Sequence, residues 1–451
     1  MKVIRILILS LLTTAINSCS TEEDMPSPVE PSVDNPTNNV YFEQNKWIYA
    51  QMNQHYLWRE DLPDSTSCNY DQTPKEFFSE LLSEKDRFSY MLTNSSYTPT
   101  SERANPILYQ TYKDCHNNTA SLVLYVDNSI VTKTSLKRGD WIDIIFQDNT
   151  TIQYTKVIVK DERFSYDKNT ITLSISNTSK QSTVLLDSIY SNGTGYLCYK
   201  EFDSIEDLIP SLKKFQEKGI DNLVLDLRYN PGGYVKTCKY LTNCIAPELA
   251  YGDIFQITKY NDRISKENII ATGYAELFDN FGFPSIDDDH SKGGYPIIPL
   301  NLSRLYVLTS NHTASASEAT ILCLKPYMEV IQIGEATVGK GVGSYTISDH
   351  RFKYAIQPIT MQYYNKGGET VSDSGLFPDF YIAEGYNVAK KDLGDLDEPL
   401  LNIAFSIINS NPFNTNIQHI NLRSNFENSL TPIGDPSYVT EYKNKHYNES
   451  N

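Results

Sequence analysis

Ser303-Arg-Leu-Tyr-Val-Leu-Thr-Ser-Asn-His-Thr-Ala-Ser-Ala-Ser-Glu318 is the stretch on which the fold turns. Its first part, Ser303 to Thr309, has the length and apolar content of a buried strand, and Ala316 to Leu324 reads as a helix. Ser315 then stands at a strand-to-helix junction, where free backbone N–H groups and the helix dipole favour a developing negative charge. A serine hydroxyl is a poor nucleophile until a neighbouring base takes its proton. A lysine can be that base when burial holds it uncharged. Downstream, Glu329-Val-Ile-Gln-Ile-Gly334 reads as another strand, leading into Gly339-Lys-Gly341. The pair Ser315 and Lys340 predicts a serine–lysine hydrolase, although short motifs of this kind also occur in ordinary helix starts and turns.

A third element lies upstream. Asp221-Asn-Leu-Val-Leu-Asp-Leu-Arg-Tyr-Asn-Pro-Gly-Gly233 is a short apolar strand ending in a tight turn, which opens into a helix predicted over Tyr234 to Ile245. Paired glycines let a backbone approach a substrate closely and present N–H groups toward it. Ile205 to Lys218 is an amphipathic helix before this strand, and Leu396 to Ile408 is the last helix. Strands alternating with helices predict an α/β fold.

Together these segments resemble the C-terminal-processing, or tail-specific, serine peptidases. The resemblance runs through Leu223–Gly233, Ala314-Ser-Ala-Ser-Glu318 and Gly334-Glu-Ala-Thr-Val-Gly-Lys-Gly341. It ends at Gly375-Leu-Phe-Pro-Asp379, which is similar to the family's Gly-x-x-Pro-Asp. It implies a crotonase-like (ClpP-like) spiral catalytic domain with Ser315 as nucleophile and Lys340 as general base. It also implies an oxyanion hole made by the N–H groups of Ala316 and Gly233, with Gly232, Ser344 and Glu318 as accessory candidates. Neither metal nor organic cofactor is implied. The chain departs from the family where a glutamine often stands four residues after the lysine. Here that residue is Ser344, whose hydroxyl reaches less far and which also reads as a plain strand residue.

The N-terminus reads as a targeting segment. Lys2 and Arg5 precede an apolar run from Ile6 to Ile16 that is too short to span a bilayer, and Ile16-Asn-Ser-Cys19 resembles a bacterial lipobox. That resemblance implies a signal peptide over 1–18, lipidation of Cys19, and a place in the bacterial cell envelope, on the outer membrane and facing the periplasm or the exterior. A plain secretory signal is the alternative. Residues 19–40 are acidic and then rich in Pro, Ser and Asn, the composition of a flexible tether. The net charge of −17 argues against nucleic acid as a partner. The cysteines after Cys19 lack metal-ligand spacing, and Cys238, Cys244 and Cys323 read as buried thiols. Asp287-Asp-Asp-His290 reads as a solvated loop.

Residues 41–95 have helical periodicity, strongest around Trp47 to Leu57 and Pro74 to Leu82, and resemble the helical preamble of exported relatives, including Asp86-Arg-Phe-Ser-Tyr90. Residues 100–185 are β-rich, with strands predicted over Ser121–Val126, Thr151–Val159 and Thr170–Ile175. Leu136-Lys-Arg-Gly-Asp-Trp-Ile142 resembles a turn of a PDZ domain, a module that takes peptide termini by strand addition. No glycine-rich carboxylate-binding loop precedes it, so a degenerate, structural module is an equal reading. The catalytic region then occupies 190–410, and the tail, 411–451, has little periodicity and reads as poorly packed. The expected function is a lipid-anchored serine endopeptidase acting on exported proteins or peptides. The rivals are a peptide-binding or scaffolding lipoprotein that has lost turnover, and a Ser–His hydrolase using His312.

Overall fold

The computed structural model describes residues 40–92, 106–127, 135–148, 150–161, 163–175, 182–246, 253–272, 277–280, 295, 297–352, 354–383, 389–409, 419–420 and 429–440. Cys19, the segment before it, the tether and Asp287–His290 lie outside them. Among the described residues the first elements are helices α1 (Phe42–His55) and α2 (Pro74–Glu80) and then strand β1 (Tyr90–Leu92). Thr73 and Glu76 cap α2 reciprocally, with Pro74 inside its first turn, which stops the helix from extending backward.

A sheet of five consecutive strands follows, β2 (Ile107–Lys113), β3 (Thr119–Val126), β4 (Trp141–Gln147), β5 (Thr151–Lys160) and β6 (Arg163–Ser174), with a sixth strand added at the β2 edge from near the end of the chain. β6 starts well before the predicted Thr170. Its first half, with Asp167, Lys168 and Asn169, is mostly exposed and so lacks the apolar alternation that marks a half-buried strand.

The chain then alternates strand and helix: β7 (Val184–Ile189), β8 (Thr194–Tyr199), α3 (Ile205–Lys218), β9 (Asn222–Asp226), α4 (Val235–Ile245), β10 (Ile254–Tyr260), α5 (Asp262–Thr272), β11 (Leu277–Asn280), β12 (Arg304–Thr309), α6 (Ala316–Leu324) and β13 (Glu329–Gly334). After it come β14 (Val342–Ser344), β15 (Ile347–Ser348), β16 (Ala355–Gln357), β17 (Ile359–Tyr364), β18 (Phe380–Ile382), α7 (Pro399–Asn409), β19 (His419–Ile420) and β20 (Thr431–Pro432). The central sheet has the order β19-β18-β13-β12-β9-β8-β7, parallel throughout except for β7. Its middle strands are apolar on both faces because both are covered. Leu223, Leu225, Leu305 and Val307 pack with α3, α4 and α6 on one side. Val224, Tyr306, Leu308 and Ile331 pack with α7 on the other. Cys238, Cys244 and Cys323 are buried free thiols within the first layer.

α7 begins at Pro399 rather than Leu396. Glu398 caps its first turn, accepting the Leu401 N–H at 2.9 Å, and its carboxylate also takes the buried Arg228 guanidinium at 2.7 and 3.1 Å. Arg228 binds Asp226 at 2.9 Å as well, so one cation joins the end of β9 to α7.

The expectation of a poorly packed tail is corrected over residues 429–440. β20 pairs with the outer edge of β2, the Ser437 hydroxyl accepts the Tyr109 N–H at 2.8 Å, and Tyr438 is buried against Tyr229 with ring centroids 5.3 Å apart. Polar residues hide this segment from a periodicity reading because it docks by backbone pairing and one aromatic anchor.

Burial alone would raise the Glu398 carboxyl, but the Arg228 guanidinium outweighs it and holds the group below its ordinary 4.5. Its stabilising contribution is therefore present above that value and is lost as pH falls through the depressed one. Glu398→Gln is expected to cost about 3–5 kcal/mol at neutral pH, as for one partner removed from a buried pair. Denaturant titrations should show this deficit shrinking as pH falls below about 4.5, where the unfolded carboxyl takes up its proton, and closing only below the depressed native value.

Candidate active site

Ser315 is the N-cap of α6 and holds φ 56° and ψ −114°, a left-handed conformation that costs a non-glycine residue about 1–3 kcal/mol. The reason it persists lies three residues on. The fully buried Glu318 carboxylate accepts the Ser315 N–H at 2.8 Å and the Lys340 N–H at 2.9 Å on one oxygen. Its other oxygen accepts the Gly339 N–H at 2.7 Å and the Thr337 hydroxyl at 2.5 Å. One carboxylate thus ties the backbone of the serine to that of the lysine. Burial pushes the Glu318 carboxyl above its ordinary value, and the four donors offset only part of that rise.

The lysine loop is laid along the serine loop. Thr309 accepts the Glu335 N–H at 3.1 Å and Thr313 the Val338 N–H at 3.0 Å through their carbonyls. Gly375-Leu-Phe-Pro-Asp379 braces the same loop, because Leu376 donates its N–H to the Thr337 hydroxyl at 2.8 Å. Asp379 accepts the Gln332 N–H on β13 at 2.8 Å. Tyr363 of β17 is buried and donates toward both the Ser315 and Lys340 carbonyls, at 3.3 and 3.1 Å. Burial, and next the Glu318 charge, raise its phenol well above the ordinary value, so it stays a neutral donor. Lys340 itself is half-buried, with its Nζ 5.4 Å from the centre of the Phe88 ring.

The glycine turn meets Ser315 directly. A Cβ on Gly232 would lie 2.8 Å from the Ser315 Cβ and 3.3 Å from the Ala316 nitrogen, and φ at Gly232 is +117°. Gly233, at φ +139°, is pressed against the Phe202 carbonyl. The Gly232 N–H is taken by the Asn230 side chain at 2.9 Å. Among the described residues no acceptor takes the N–H of Gly233 or of Ala316. Asn230 also bonds the Tyr199 carbonyl at 3.0 Å, and its own carbonyl accepts the Ser317 hydroxyl at 3.0 Å. Ser317 is fully buried in this structural bond, whereas Ser315 is partly exposed.

Of the expected site residues, Ser315, Ala316, Glu318, Lys340 and Gly232 are brought together, with Gly233 beside them. Ser344 ends β14, and its hydroxyl accepts from Gln357 of β16 at 3.0 Å. His312 packs edge-on to Tyr438, with centroids 6.1 Å apart. Sequence reasoning missed Asn230, Thr337, Tyr363 and Phe88. Asn-Pro-Gly-Gly carries a signal for the first, since an asparagine side chain commonly binds the backbone two residues on. A lone strand tyrosine such as Tyr363 carries none.

Residues 193–382 match the family model described as peptidase family S41, and residues 43–90 match the peptidase S41 N-terminal domain. The chain belongs to this family of C-terminal-processing serine peptidases. Its relatives include the chloroplastic carboxyl-terminal-processing peptidase 1 of Arabidopsis thaliana, 25% identical over 207 residues, which covers 45% of this chain and 37% of the relative. A carboxyl-terminal-processing protease of Picosynechococcus is 28% identical over 171 residues, covering 36% of this chain and 34% of the relative. The chain thus spans about a third of the length of these curated relatives. A candidate S41 protease from Bacteroides fragilis, known by crystal structure, is 26% identical with a TM-score of 0.63, covering 80% of this chain and 96% of that one.

Glu318→Gln keeps the shape but sets an amide NH2 against backbone donors. It is expected to destabilise the fold by about 1–3 kcal/mol, the cost of buried groups left unsatisfied. Labelling of Ser315 by a fluorophosphonate should slow at least as much as activity measured on casein; a variant with native melting and native labelling would remove Glu318 from the site.

Proposed function

We propose that the chain is a serine endopeptidase of the C-terminal-processing type working through a Ser315–Lys340 dyad. The observation that carries this reading is the single buried carboxylate of Glu318 joined to the backbones of both residues. In this mechanism the Ser315 Oγ attacks the scissile carbonyl carbon while its proton passes to the Lys340 Nζ. The tetrahedral oxyanion is held by the N–H groups of Ala316 and Gly233, at the positive end of α6. Lys340 then gives the proton to the leaving amine, and a water molecule, deprotonated by the same nitrogen, hydrolyses the acyl-enzyme. The strained Ser315 backbone supports the assignment, because such conformations gather where a side chain must be presented at a fixed angle.

The α/β region suits a crotonase-like spiral core, and the β2–β6 sheet a PDZ-like module. The pairing of β20 with Tyr112 and Lys113 covers one end of β2, one of the two edges of that sheet, and favours a structural role there, since strand addition needs a free edge. The substrate class we infer is exported protein or peptide, reached from a lipid anchor at Cys19 in the cell envelope. Among the described residues no helix is long and apolar enough to cross a membrane.

Fluorophosphonate treatment followed by peptide mapping tests the dyad. The adduct is expected on Ser315, to vanish in Ser315→Ala and to persist in Ser317→Ala. Lys340→Arg is expected to be as inactive as Lys340→Ala, because guanidinium keeps its proton. Turnover by Lys340→Arg would show that another group is the base. For the anchor, Cys19→Ala should move the protein from the membrane to the soluble fraction, because acyl chains supply about 0.8 kcal/mol per buried methylene; unchanged membrane retention would refute the lipidation.

A further inference from the structure

The segment Asp86-Arg-Phe-Ser-Tyr90 belongs to the N-terminal helical region, yet it reaches the lysine. Asp86 folds it into a tight turn by accepting the N–H groups of Phe88 and Ser89, both at 2.9 Å. The other Asp86 oxygen accepts the hydroxyl of buried Tyr56 at 2.7 Å, fixing the turn to the core beneath α1 and α2. From this base Arg87 donates to the Gly339 carbonyl at 2.8 Å, one residue before Lys340. Phe88 presents its ring to the Lys340 Nζ at 5.4 Å, and the Arg87 guanidinium lies 4.8 Å from the same ring centre. Ser89 accepts the Ile359 N–H at 2.8 Å, and Tyr90 pairs with Gln357 as β1 joins β16. The turn is therefore held from both ends, with Phe88 at its middle.

We propose that Phe88 is a positioning residue for Lys340, and that the N-terminal segment completes the active site rather than only preceding it. The proposal rests on Lys340 being the base. A lysine has a long, flexible chain with several rotamers, and its backbone anchor to Glu318 does not fix the nitrogen. A ring held over that nitrogen limits its swing and covers one side from water. The Arg87 bond to the Gly339 carbonyl holds the peptide from which the lysine chain departs. Ring and backbone clamp act on the same residue from one turn, which accounts for the rigid Asp86 turn beneath them.

The test is saturation kinetics of fluorophosphonate inactivation, which needs no knowledge of the natural substrate and separates the limiting rate from the half-saturating concentration. Phe88→Ala is expected to lower the limiting rate about 10- to 100-fold, the range for a misplaced catalytic group, with half-saturation within about twofold. Phe88→Tyr, which keeps the ring face, should restore the rate to within about threefold of native. Thermal melting of each variant accompanies the kinetics. Should Phe88→Ala fail to fold, Phe88→Leu, which keeps apolar bulk without a ring face, becomes the deciding variant and should fold yet stay slow. A native limiting rate in folded Phe88→Ala or Phe88→Leu would overturn the proposal, as would a Phe88→Tyr variant no faster than alanine. Lys340→Ala separates the two claims. If it retains the native rate the base assignment fails, whereas a dead Lys340→Ala beside a native Phe88→Ala defeats only the role of Phe88.

Discussion

The constraint on which the site depends is the need to satisfy one buried carboxylate. Glu318 sits within the first turn of α6, fully out of water, and a charge so placed is costly unless hydrogen bonds surround it. Its four donors come from the serine cap, the lysine loop and Thr337. Each half of the site thereby supplies hydrogen-bond donors to a carboxylate it shares with the other. The left-handed Ser315 backbone is one consequence, since the helix cap bends to deliver its N–H to Glu318. The bracing of Thr337 by Leu376 is another, and it carries the constraint to the last family motif of the chain.

A second polar network works at larger scale. Arg228 is enclosed by Asp226 and Glu398, so the strand leading into the glycine turn is bound to α7 across the sheet. Asn230 then shapes the turn from within, taking the Gly232 N–H while Ser317 holds its carbonyl. The glycine turn and the serine helix are thus joined by a structural serine two residues from the proposed nucleophile. The two serines of Ser315-Ala-Ser317 have different environments, one bound inward and one presented outward.

The sequence made legible what depends on local spacing. The helices Ile205–Lys218 and Ala316–Leu324 and the strand Glu329–Gly334 lie where their patterns placed them, because apolar runs there are bounded by caps, glycines or charged residues. The family motifs brought out Ser315, Lys340, Gly232, Gly233 and Glu318 for the same reason. What stayed hidden is non-local. Tyr363 comes from a strand whose place in the order β11-β10-β17-β14 no short pattern encodes. Phe88 approaches from more than two hundred residues upstream through a turn whose chemistry, an aspartate binding its own backbone, looks like any loop. The segment 429–440 docks on β2 without periodicity, so its polar composition pointed the wrong way. Ser344 is held by Gln357 from another strand, a pairing that spacing alone does not reveal.

The central claim is that one carboxylate fixes the serine and lysine backbones as a unit. Residue-resolved amide hydrogen exchange tests it most directly. In the native protein the N–H groups of Ser315, Gly339 and Lys340 should be protected together and open with a common free energy, and in Glu318→Gln all three should lose protection in concert. Independent exchange of the lysine loop, fast while Ser315 stays protected, would contradict the account.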